Sequence, residues 1–281
     1  MSTDTPRLHG AESSPLGRPA AYRDTYAPDL LFPIERQLKR DELGLKADDL
    51  PFIGEDLWNA YELSWLDLRG KPVVALAQFR VPANSPRLIE SKSLKLYLNA
   101  YNQQRCADVG TVQAMIACDL VAAAGAAVAV RITPLTQRPQ RSSSYPQGFC
   151  LDQLELDIDT YEPAPDLLHA HGSEVSETLY SHLLKSNCLV TGQPDWGMLV
   201  VRYTGPAMDR AGLLRYLVSF RTHNEFHEQC VERVFCDILA RCRPRELAVW
   251  ARYTRRGGLD INPFRTSHAG LQADEGMEVR Q

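Results

Sequence analysis

A cysteine beside a turn, with a carboxylate seven residues downstream, is the strongest pointer to chemistry in this sequence. The stretch Ser181-His-Leu-Leu-Lys-Ser-Asn-Cys188-Leu-Val-Thr-Gly-Gln-Pro-Asp195-Trp196 reads as an apolar, helical-looking run that ends at Lys185-Ser-Asn187, then a thiol, a Thr-Gly-Gln-Pro turn and Asp195. A thiol at a turn can be reached from solvent, and a nearby carboxylate can move its proton. Spacing alone fits a half-buried structural cysteine better, because free cysteine is among the most buried residue types. Two further groups carry reactive side chains: Glu90-Ser-Lys-Ser-Leu-Lys95 and His223-Asn-Glu-Phe-His-Glu228.

The elements that would position these groups follow from periodicity. Leu94, Tyr97, Leu98 and Tyr101 have helical spacing, so Glu90, Ser91 and Lys92 fall at or just before a helix N-terminus. Backbone N–H donors, a hydroxyl and an ammonium gathered there would receive an anion, although an ordinary capped surface helix looks the same. A second helix over 112–124 is apolar nearly all round and is expected to be buried on two sides. A third spans 210–220. Asn224 is expected to cap a fourth, whose apolar face carries Val231, Val234, Phe235, Ile238 and Leu239, with His227 and Glu228 in its first turn. Strands are expected at 57–68 and 72–81 around an Arg69-Gly-Lys turn, at 126–132, at 151–159, at 197–204 up to Gly205-Pro206, and at 247–254 as the last strand. A polar loop covers 134–148, and Arg255-Arg256-Gly257-Gly258 forms a basic turn. Residues 22–49, interrupted by Pro28 and Pro33, read as an extended arm over the first domain. Residues 1–21 read as a mobile tail.

The chain contains a repeat. Ile89-Glu-Ser-Lys-Ser-Leu-Lys-Leu-Tyr-Leu98 lines up with Met208-Asp-Arg-Ala-Gly-Leu-Leu-Arg-Tyr-Leu217, Cys118-Asp119-Leu120 with Cys236-Asp237-Ile238, and Ala129-Val-Arg131 with Trp250-Ala-Arg252. The register holds over some forty residues, which favours duplication of a strand–strand–helix–helix–strands unit. The halves differ in chemistry. The first carries Glu90-Ser-Lys, and the second carries Cys188, Asp195, His227 and Glu228. A site that needs both sets must lie where the halves meet.

Composition bounds the rest. The 281 residues are 44% hydrophobic and 23% charged, as in an ordinary soluble globular protein with ample core. A net charge of −4 with dispersed basic residues does not favour a nucleic-acid groove. Seven cysteines form no CxxC pair, so no structural zinc site is expected, and the odd count without a signal peptide suits a reducing cytoplasm. The longest apolar run, 120–130, is too short to span a membrane. No G-x-G-x-x-G is present, so no Rossmann cofactor domain is expected.

Residue identity adds to this. The run Leu-Lys-Ser-Asn-Cys188-Leu-Val-Thr-Gly-Gln-Pro-Asp195-Trp-Gly, with the Glu90 and His223–Glu228 motifs in order, resembles the NADPH-dependent 7-cyano-7-deazaguanine reductases (QueF) in their long form. The resemblance covers about 22–281. It implies an α+β tunnelling fold (T-fold) of two tandem ββαα units, 22–165 and 166–281, in a homodimer. It implies Cys188 as nucleophile, Asp195 as its proton acceptor and donor to the nitrile nitrogen, and His227 as proton donor in later steps. It places Ile89, Glu90, Ser91, His227 and Glu228 against the substrate, the two glutamates on its guanine-like N–H edge. It places NADPH on Ser91, Lys92, Arg256 and Gly257, with Arg255 as helper, and implies no metal. The reaction would take two NADPH per nitrile, through a cysteine thioimidate, in queuosine biosynthesis for tRNA modification. Two other readings compete: a cysteine-dependent nitrile or amide hydrolase using Cys188, Glu90 and Lys92, and a non-catalytic purine- or pterin-binding protein of the same fold.

Overall fold

The computed structural model describes residues 22–140, 142–273 and 276–281. The expected tail at 1–21 lies outside them. The arm opens the described chain with β1 (Pro33–Glu35) and a short α1 (Gln37–Arg40). The first unit follows: β2 (Ile53–Leu66), β3 (Pro72–Pro82), β4 (Arg87–Ile89), α2 (Ser91–Asn99), α3 (Val109–Ala124) and β5 (Ala129–Pro134). A linking stretch holds β6 (Phe149–Cys150). The second unit is β7 (Ala170–Asn187), β8 (Pro194–Met208), α4 (Arg210–Ser219), α5 (His227–Cys242), β9 (Glu246–Tyr253) and β10 (Leu259–Thr266).

Eight of these strands form one sheet in the order β5-β3-β2-β10-β9-β8-β7-β6. Two apolar cores lie in the layer between sheet and helices. In one, Leu94, Leu98, Ile116 and Leu120 pack on Trp58, Phe79 and Ile132. In the other, Leu213, Leu217, Val231 and Phe235 pack on Leu199, Val249 and Tyr253. The repeat is visible in side-chain detail. Tyr97 of α2 donates to Asp119 of α3 at 2.6 Å, and Tyr216 of α4 donates to Asp237 of α5 at 2.5 Å. These are the tyrosines and aspartates that the sequence alignment pairs. The fold is α+β with two tandem ββαα units, in agreement with the sequence reading.

Several local expectations change. The helical-looking approach to Cys188 is strand β7, paired with β8 from Ala170↔Met208 to Asn187↔Pro194. A register shift between Ser181 and Leu184 breaks the period of two, so the adjacent Leu183 and Leu184 look helical in sequence. Residues 151–159 are not a strand: a single 3-10 turn, Leu151–Gln153, is followed by irregular chain whose Leu154 and Leu156 pack on the second core. β8 continues through Gly205-Pro206, with Gly205 required because a Cβ would meet Pro244 Cα at 2.7 Å. Helix α3 buries one stripe, Val112, Ile116, Leu120 and Ala123–Ala124, while Cys118 and Val121 are exposed. It is buried on one side, not two.

The last strand is β10, not β9. Pro263 argues against a central strand, because proline cannot donate to a ladder. The ladder with β9 begins only at Phe264, one residue past the proline, while β2 pairs along the whole of β10. β10 therefore closes the two units into one sheet, and its Leu259 and Ile261 pack in the first core. The arm does more than cover the first unit. Arg36 and Arg40 are fully buried, and Arg40 pairs with Glu232 of α5.

Candidate active site

One cavity lies at the seam, enclosed by Ile89, Glu90 and Ser91 from the first unit, Cys188, Asp195, Glu225–Glu228 and Arg256 from the second, and Trp58 and Ile261 from β2 and β10. The catalytic and substrate-binding candidates from sequence all line it. Of the four residues expected at NADPH, Ser91 and Arg256 line it. Lys92 is not in its wall, and Gly257 borders a separate hollow with Lys95 and Glu62.

Local chain geometry explains the convergence. Cys188 follows β7 and opens a tight turn in which its N–H donates to the Gln193 carbonyl at 2.8 Å and its carbonyl accepts from Gly192 N–H at 3.0 Å. Gly192 has φ +65°, the left-handed conformation that this turn needs from glycine. The 223–225 segment then zips against Asn187: Asn187 N–H donates to the His223 carbonyl at 2.8 Å, and Glu225 N–H to the Asn187 carbonyl at 3.0 Å. Asn224 is held in this bridge and does not cap α5. That helix starts at His227 with no side-chain cap from Phe226, so the positive end of its dipole lies at the cavity.

Glu90 does cap α2. Its carboxylate accepts from Lys92 N–H at 2.7 Å and from Ser93 N–H at 2.8 Å. The arm braces it from behind, where Glu90 N–H donates to the Phe32 carbonyl at 2.9 Å. Burial raises the Glu90 carboxyl above its ordinary range, and the two N–H donors partly offset this.

Glu228 forms no salt bridge among the described residues. It is 2% exposed and is pushed up to about 7 by burial and by the neighbouring Asp56 charge, with Arg36 and Arg265 pulling the other way. Behind it, Asp56 and Glu232 share three buried arginines, Arg36, Arg40 and Arg265. Asp195 is ion-paired with Arg256 at 2.9 Å and lies 3.7 Å from His227 Nε2. Burial holds the His227 imidazole below its ordinary value, with Asp195 raising it and Arg256 lowering it. Sequence reading gave Arg256 to the cofactor alone, and the fold also makes it the ion-pair partner of Asp195. Trp58, Leu88, Glu225, Phe226 and Ile261 were missed. Only Glu225 and Phe226 had a signal, since they lie inside the His223–Glu228 motif.

A buried thiol, a carboxylate 3.7 Å from an imidazole, and two buried glutamates thus line one cavity. Comparison with known proteins gives the class. Residues 22–132 match the family described as nitrile reductase, 7-cyano-7-deazaguanine-reductase N-term, and residues 194–271 match the QueF-like protein family. The chain is 72% identical over 274 residues to the NADPH-dependent 7-cyano-7-deazaguanine reductase of Azoarcus sp. (strain BH72), with 98% of each chain covered. It is 67% identical to the reductase of the same name from Aromatoleum aromaticum, with 97% of each covered, and 61% identical to that of Dechloromonas aromatica, with 96% of each covered. The chain belongs to the NADPH-dependent 7-cyano-7-deazaguanine reductase family. No helix among the described residues is long and apolar enough to cross a membrane.

Proposed function

We propose that this chain reduces the nitrile of 7-cyano-7-deazaguanine to the primary amine 7-aminomethyl-7-deazaguanine with two NADPH, through a thioimidate on Cys188, as a step of queuosine biosynthesis in the cytoplasm. The observation that carries this reading is the single cavity that collects Glu90, Cys188, Asp195, His227 and Glu228 from two units of a chain so similar to named reductases. Those units, 22–165 and 166–281, would assemble as a homodimer.

Cys188 sulfur bonds to the nitrile carbon, and its proton passes through Asp195 to the nitrile nitrogen. NADPH supplies the two hydrides. After the first reduction the carbon–sulfur bond breaks and Cys188 leaves as thiolate, giving an imine. His227 donates a proton in these later steps. Its buried imidazole and the Asp195 carboxylate 3.7 Å away suit a group that gains and loses a proton within one cycle. Glu90 and Glu228 accept the N–H edge of the heterocycle.

The residues present fit NADPH. Ser91 stands at the start of α2, and Arg256, with a 39% exposed side chain, stands at the cavity wall. The Ser91 hydroxyl and the Arg256 guanidinium can donate to a phosphate-bearing ligand. Lys92 and Arg255 stand close in the chain to these two residues, and Arg255 lies over the Tyr61 ring at 4.5 Å.

The test is stoichiometry: two NADPH oxidised per nitrile consumed, with an aminomethyl product. A ratio near one, with imine or aldehyde accumulating, rejects the second hydride step. Ammonia release without NADPH oxidation would select a hydrolase.

Nitrile affinity should also depend on pH through Glu228. Its carboxyl is protonated in the free protein below about pH 7. A base that donates two N–H groups needs the carboxylate, so binding below that pH must expel a proton. The dissociation constant is expected to tighten about tenfold per pH unit as pH rises towards 7, then level off. Calorimetry in two buffers of different ionisation enthalpy reads the released proton directly. Glu228→Gln should flatten the profile, and a profile already flat in the wild type removes Glu228 from base recognition. Glu90 is a less clean probe, because its removal also costs the α2 cap, about 1 kcal/mol.

A further inference from the structure

Tyr253, the last residue of β9, forms the wall behind His227. It is fully buried, and its ring meets the imidazole edge-to-face with centroids 4.0 Å apart at 88°. Across the ladder its partner is Gly197, two residues after Asp195. A Cβ at Gly197 would come 3.1 Å from Tyr253 Cδ1 and 3.3 Å from the Arg252 carbonyl oxygen. Gly197 is not among the positive-φ glycines, so what it supplies is room for the ring. The Tyr253 hydroxyl is buried beside Cys230 and Ser186 and, among the described residues, has no partner at full hydrogen-bond geometry. The part of Tyr253 that meets His227 is its ring. Asp195 and Arg256 are the charged groups that act on His227. Neither holds the imidazole by a hydrogen bond, since Asp195 is 3.7 Å away and is itself ion-paired with Arg256.

We propose that Tyr253 is the positioning residue of His227: its ring fixes the imidazole plane against Asp195 and keeps water from it, and Gly197 is the slot that admits the ring. The proposal rests on the reading of His227 as proton donor after the first reduction. Tyr253 does not line the cavity, so its loss should act through His227 on the reduction steps and spare capture of the nitrile.

The test compares Tyr253→Phe, Tyr253→Leu and Gly197→Ala by steady-state kinetics, pH profile and formation of the Cys188 adduct without NADPH. Tyr253→Leu is expected to lower kcat about 10- to 100-fold, the scale of a misplaced catalytic group. The nitrile KM and the adduct rate should stay near wild type. The alkaline limb of its kcat profile should move to higher pH, because water at the imidazole relieves the burial that holds it down. Tyr253→Phe keeps the ring and should restore both kcat and profile. Gly197→Ala crowds the ring without removing a group and should lower kcat in the same selective way, which decides the question where the leucine variant fails to fold. Equal losses in the phenylalanine and leucine variants overturn the proposal, as does a Gly197→Ala protein with wild-type kcat and profile. A wild-type protein that forms no adduct would overturn the thioimidate reading instead, so the two failures are distinguishable.

Discussion

Cys188→Ala is expected to abolish turnover and covalent capture together. Cys188 is 4% exposed and lines the seam cavity, a position that suits a thiol meeting a bound ligand away from bulk water. Addition of the thiol to the nitrile consumes no cofactor. Without NADPH the adduct should therefore accumulate, with a mass increase equal to the whole nitrile. In Cys188→Ala no bond can form, and the loss of kcat should reach at least about a thousandfold, the scale seen when a nucleophile is removed. The other cysteines are poor competitors. Cys230 and Cys236 lie on α5, and burial pushes both thiols up to about 12. Cys118 is exposed on α3, and none of these three lines the cavity. Asp195→Asn should slow adduct formation without abolishing it, since it keeps the shape and loses the base. Peptide mass spectrometry checks the assignment. An adduct on another cysteine, or full turnover by Cys188→Ala, would sink the mechanism.

The second large effect is on stability. Glu232 sits on α5, one turn after Glu228, and is 1% exposed. It accepts from Arg40 Nη2 at 2.7 Å and Nε at 2.9 Å, and from Arg265 Nη2 at 2.8 Å and Nε at 3.1 Å. Burial alone would raise its carboxyl, but Arg265, Arg40 and Arg36 hold it below the ordinary range. Glu232→Ala leaves Arg36 and Arg265 buried with Asp56, and removes the carboxylate that Arg40 pairs with. Breaking such a network from one side costs about 3–5 kcal/mol, far more than the intact network contributes against an apolar replacement. The variant should unfold at a clearly lower denaturant midpoint, and Glu232→Gln should lose less because it keeps acceptor shape. Because the folded-state value of Glu232 is depressed, its contribution is present above the ordinary glutamate range and is lost as pH falls through the depressed value. The stability gap between wild type and Glu232→Ala should therefore narrow in acid. A gap independent of pH, or a variant as stable as wild type, would show that the arginines find other partners.

The sequence by itself determined the parts that depend on neighbours along the chain. The α2 N-terminus was legible because Glu90 is the cap and Leu94, Tyr97 and Leu98 keep a helical period. The duplication was legible because Tyr97 and Asp119 recur as Tyr216 and Asp237, held by the same local packing in both units. The Cys188–Asp195 stretch was legible through residue identity, since a thiol, a glycine turn and a carboxylate at fixed spacing survive whatever secondary structure surrounds them. That surrounding structure was misread. Leu183 and Leu184 look helical only because the bulge in β7 interrupts alternation, and a bulge is set by the partner strand. β10 was invisible for a similar reason. Pro263 is tolerated only because the β9 ladder starts at Phe264, and the spatial neighbour decides which N–H groups are needed. Tertiary structure alone decided that Arg256 pairs with Asp195 and that Arg36 and Arg40 of the arm are buried beside α5. It alone set Tyr253 against His227. Each of these contacts joins residues dozens to nearly two hundred positions apart, where burial and charge pairing act through space and leave no period in the sequence.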